Sequence, residues 1–69
     1  MEILSTNSLV NTTWINRNDP TFQVTVVAEF RMADELEPWL DCRDVINATH
    51  MLRANWLVEN FQKLGEAQR

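Results

Sequence analysis

Between Phe22 and Phe30 the chain alternates: Phe22, Val24, Val26, Ala28 and Phe30 fall on one side, and Gln23, Thr25, Val27 and Glu29 on the other. A two-residue period held this long marks a half-buried strand. Upstream, Leu9 to Asn16 is rich in Thr, Val, Ile and Trp, and the intervening Arg17-Asn-Asp-Pro-Thr21 carries turn residues. Asn and Asp bond back to local backbone and Pro20 fixes φ, so strands over about 9–16 and 22–30 should form an antiparallel hairpin. Two strands alone are marginal in water. This hairpin therefore needs a helix, another chain, or a third strand, for which Ile3-Leu4 is the candidate.

After Asp44 the period changes. No Gly or Pro interrupts the chain until Gly65, and at 100° per residue Val45, Ala48, Leu52 and Trp56 share one apolar stripe. Ile46, Leu57, Phe61 and Leu64 form a second, with Met51, Ala54 and Val58 between them around the back. The pattern predicts a helix over about 42–64, started by Asp41 and Asp44 as caps, stopped by Gly65, and followed by a frayed tail over 65–69. Pro38 disfavours helical geometry at Glu37. Residues 32–40 are thus a short acidic connection. The expected fold class is α+β, an N-terminal β-hairpin packed on one long C-terminal helix.

A chain of 69 residues has room for one such domain and buries only about 60% of its unfolded surface. One hairpin covers one side of a helix, so the second stripe, Ile46, His50, Leu57, Phe61 and Leu64, is expected to meet a second copy in a homodimer. The competing arrangement packs the 32–40 segment across it.

Charge changes the picture locally. The net charge is -4, and Ala33 to Asp44 alone accounts for it: Asp34, Glu35, Glu37, Asp41 and Asp44 oppose only Arg43, while acids and bases balance elsewhere. Around Trp39 and Leu40 these acids make a candidate docking surface, comprising Asp34, Glu35, Glu37, Trp39 and Leu40. The acids would steer a basic partner and the aromatic would anchor it. The plainer reading folds Trp39 and Leu40 inward as a lid on the core and leaves the acids as caps or solvated groups.

Candidate chemistry is sparse. One cysteine, Cys42, excludes an intrachain disulfide. Cys42 and His50, eight residues apart on one helix, would be roughly 12 Å apart along its axis, too far for a thiolate–imidazolium pair. One His and one Cys do not make a metal centre, and a single Gly cannot make a phosphate loop. No cofactor or metal is expected, and no enzymatic activity. Six bases spread from Arg17 to Arg69 form no stripe, which argues against nucleic acid. The N-terminus lacks the basic and apolar regions of a signal peptide, and the uncharged stretch 3–16 is too polar for a membrane span. A soluble cytoplasmic protein is expected, in which the two N-x-[ST] matches at Asn11 and Asn47 are chance occurrences.

The function these features point to is a non-enzymatic protein–protein interaction module that binds a partner with a basic surface. In general character, small, acidic and cysteine-poor, the chain resembles accessory or inhibitor proteins of phages and mobile elements that bind host proteins, a resemblance carried by no motif. A self-assembling structural subunit and a dimeric nucleic-acid-binding regulator are the alternatives.

Overall fold

The computed structural model describes residues 9–66. The proposed strand at Ile3-Leu4 and the end of the tail lie outside them. Five strands and one helix follow in the order β1 (Thr12–Asn16), β2 (Gln23–Phe30), β3 (Trp39–Asp44), β4 (Thr49–Arg53), α1 (Ala54–Asn60) and β5 (Phe61–Glu66). All five strands belong to one sheet, ordered β4-β3-β2-β1-β5, with every neighbouring pair antiparallel. The expected fold is therefore corrected: over the described residues the protein is mostly an antiparallel sheet with one seven-residue helix, not a hairpin on a long helix.

The reason lies at residues 44–48. Asp44 Oδ1 accepts the backbone N–H groups of Ile46 (3.0 Å) and Ala48 (2.9 Å), and Asn47 sits at φ 67°. A side chain that binds the backbone this way competes with helical bonding, and Asn tolerates the left-handed region. The chain reverses there, and Thr49–Arg53 pairs back on Trp39–Asp44. Asp44 thus caps a hairpin turn rather than a helix. Asp41 lies inside β3, where its carboxylate meets Arg43 Nε at 3.3 Å, and is no cap either. Gly65, expected to stop the helix, is a β5 residue.

Helical spacing does hold over one short reach. Ala54, Leu57 and Phe61, at i, i+3 and i+7, all point into the core. The helix has no capping side chain at Arg53. Its first N–H groups are met from the acidic connection instead, Ala54 N donating to Pro38 O and Asn55 N to Glu37 Oε1. At the other end Asn60 Nδ2 donates to Trp56 O, and Phe61 turns extended to pair with Asn16.

No residue separates α1 from β4 or from β5. In a flat sheet the two outer strands would lie about 19 Å apart, yet a helix of this length spans about 10 Å. The sheet must curl, and it does so around one cluster: Trp14, Val24, Val26, Leu40, Cys42, Ala54, Leu57 and Phe61. Within the cluster the Trp14 indole N–H donates to Thr12 Oγ1 at 2.7 Å and Thr12 donates on to Leu9 O, so the buried polar atoms are satisfied.

The helical stripe assigned to a dimer interface does not exist as one surface. Leu57 and Phe61 are wholly buried within the chain, His50 is half-buried on β4, Ile46 is exposed in the β3–β4 turn and Leu64 is exposed on β5. With Leu57 and Phe61 inside and Ile46 and Leu64 on separate elements, these residues offer no continuous helical stripe for a second copy to cover.

Candidate functional site

A register shift in β2 decides what the outer surface carries. Up to Val26 the alternation runs as the sequence suggests, with Val24 and Val26 buried opposite Asp44 and Cys42. Val27 is then an extra residue on its strand, and pairing resumes as Ala28↔Asp41, Glu29↔Leu40 and Phe30↔Trp39. Such a bulge exchanges the faces beyond it. Phe30 moves outside, where it is 40% exposed.

Leu40 and Trp39 therefore part company. Leu40 fills the core, so it is removed from the expected docking set as an accessible residue. Trp39 stands on the opposite face of β3. Adjacent strands extend its row on both sides, giving Phe30–Trp39–Arg53, and the next row is Ala28–Asp41–Met51. Phe30 and Met51, the latter 44% exposed, flank Trp39 with apolar surface.

The acids gather at one end of this face. Glu35 Oε1 accepts the Trp39 indole N–H at 2.8 Å and meets Arg53 Nη1 at 3.2 Å. Glu37 Oε2 lies 3.8 Å from the same nitrogen, while its Oε1 accepts the Asn55 backbone N–H. The Arg53 guanidinium carbon stacks over the Trp39 ring, 4.5 Å from its centroid. Two of the three acids without a structural role in the sequence are thus held by specific donors, and Asp34 is exposed. Arg31 Nη1 also folds back, onto Leu36 O. Sequence reading missed Phe30, Met51 and Arg53 as members of this face. The bulge had no sequence signal, whereas Arg53 at the end of an alternating T-H-M-L-R run could have been found had that run been read as a strand.

Fold geometry also reverses the separation expected for Cys42 and His50. They are direct partners across β3 and β4, and His50 Nε2 lies 2.8 Å from Asp44 Oδ2. The thiol, however, is fully buried, with Leu40 O at 4.0 Å as its hydrogen-bond partner. Burial, reinforced by the Asp41 charge, pushes its pKa up to about 11. A thiol so placed is held in its poorly nucleophilic form. The hydrogen bond from His50, then that from the Ala48 N–H, holds the Asp44 carboxyl below its ordinary value. The imidazole also meets Phe22 edge-on, with ring centroids 5.1 Å apart.

Among the described residues no group of three or more His, Cys, Asp or Glu is placed to hold a metal ion, and no helix is long and apolar enough to cross a membrane. No protein-family model, curated protein or solved structure matches the chain.

Proposed function

We propose that the protein is a non-enzymatic binding module that docks a basic segment of another protein on the outer face of β2, β3 and β4. The observation that carries this reading is Trp39, which shares the outer face with Phe30 and Met51 while its strand neighbour Leu40 faces the core. A large aromatic flanked by apolar side chains and rimmed by charge is the composition of an interface anchor. Charge complementarity selects the occupant. On this face and its 31–38 rim Asp34, Glu35, Glu37 and Asp41 stand against Arg31, Arg43 and Arg53, a net of -1, because Asp44 lies with His50 on the Leu40 and Cys42 side of the sheet. This field is weaker than the sequence segment implied, because the fold returns two arginines to it and turns Asp44 to the other side. It still favours a cationic partner.

Site-specific photo-crosslinking tests the reading. A benzophenone side chain at Met51 should give adducts in cell lysate that diminish as salt rises and vanish when Trp39→Ala is added to a variant of unchanged circular dichroism. The same group at Asn18, in the β1–β2 turn, should give none of those adducts. Equal adducts from both positions, or adducts indifferent to Trp39→Ala, would overturn the proposal.

A further inference from the structure

The cluster around Trp39 has the form of a filled binding site. An aromatic ring face and two carboxylates converge on one planar cation, the Arg53 guanidinium. That combination suits arginine better than lysine: a guanidinium stacks flat on an indole while its edge donates to a carboxylate, which a tetrahedral ammonium cannot do in the same way. We propose that this notch is a guanidinium-recognition site, occupied at rest by Arg53, which gives way to an arginine of the docked partner. The inference rests on the docking reading above and names the side chain that would be docked.

Three features make exchange possible. First, both carboxylates are held independently of Arg53, Glu35 by the Trp39 indole N–H and Glu37 by the Asn55 backbone N–H, so the notch keeps its shape when Arg53 leaves. Second, Arg53 ends β4, an outer strand of the sheet, and its side chain is 46% exposed. Its backbone stays fixed by pairing with Trp39 while the side chain swings into solvent. Third, one guanidinium does not neutralise two carboxylates, so the filled notch still attracts a second cation. Exchange then replaces one set of contacts by an equivalent set. The tethered Arg53 lowers apparent affinity by the fraction of time it occupies the notch, and a partner must add contacts with Phe30 and Met51 to prevail.

The test uses the whole chain, isotope-labelled with nitrogen-15, and two probes at matched ionic strength, N-acetyl-arginine amide and N-acetyl-lysine amide. The reporter is the Trp39 indole N–H resonance, identified by its loss in Trp39→Phe. Removing the plug in Arg53→Ala should tighten binding of the arginine probe at least about tenfold over wild type, the gain expected when an open notch is populated a tenth of the time or less. Arg53→Met, which keeps the aliphatic stem, should do the same and replaces Arg53→Ala if that variant shows lost spectral dispersion. Adding Glu35→Gln to either variant should remove most of the gain. No tighter binding in the unplugged variants, or a lysine probe that binds them as well as the arginine probe, would overturn the site. If that happens while the Trp39-dependent crosslinks from Met51 persist, the guanidinium site alone is wrong. If the crosslinks fail while the unplugged notch still selects arginine, the docking reading is wrong and the site stands.

Discussion

At Asp44 one carboxylate does three jobs: it accepts two backbone N–H groups of the β3–β4 turn and pairs with His50. Its carboxyl is held below the usual range, first by the His50 hydrogen bond. A carboxyl that is more acidic in the folded state than in the unfolded chain adds stability above its unfolded pKa, and that stability is lost as pH falls through the folded value. Acid titration monitored by Trp fluorescence should therefore show stability falling below about pH 4, and Asp44→Asn, which keeps an oxygen for the turn but no titrating group, should flatten that limb. An unchanged acid limb in Asp44→Asn would show that other carboxyls govern it. The sequence did reveal that Asp44 starts something, because Asp before a chain reversal binds local backbone. Whether it opens a helix or a turn was decided three residues on by Asn47, at φ 67°, and an Asn in that stretch is compatible with either.

The long helix failed where two periodicities overlap. Trp39-Leu-Asp-Cys-Arg-Asp44 and Thr49-His-Met-Leu-Arg53 each alternate, with Leu40, Cys42, His50 and Leu52 on one side of the sheet. Read through at 100° per residue, the same apolar side chains fall into stripes by coincidence. Only Ala54 to Phe61 kept the helical spacing, because there Leu57 and Phe61 both reach the core. Strand β2 was plain because its alternation was long and its side chains β-branched or aromatic; its bulge was invisible because a register shift is set by the partner strand. Two residues from the expected dimer stripe separate these accounts. Leu57→Ala should cost about 2–5 kcal/mol in urea titration, the range for truncating a buried leucine, whereas Ile46→Ala, in the exposed turn, should stay within about 0.5 kcal/mol. Similar costs at both positions would contradict the turn and favour a covered stripe.

Closure of the sheet by α1 is what gives the molecule an inside and an outside. With β4, α1 and β5 joined without loops, the curl buries Leu40 and leaves Trp39 on the convex side, in a row with Phe30 and Arg53. The acidic segment that looked continuous along the chain is thereby divided. Asp44 serves a turn, Glu37 meets the start of α1, and Glu35 binds Trp39 and Arg53 together. A docking face and its arginine plug both depend on Trp39 standing outside with a guanidinium over its ring. The ring current of an indole shifts protons above its face upfield, so the proton spectrum of the Arg53 side chain reads that arrangement directly. The Arg53 side-chain protons of the wild-type protein should resonate upfield of their random-coil positions and return to them in Trp39→Leu. Random-coil shifts in the wild type, or upfield shifts that survive Trp39→Leu, would contradict it.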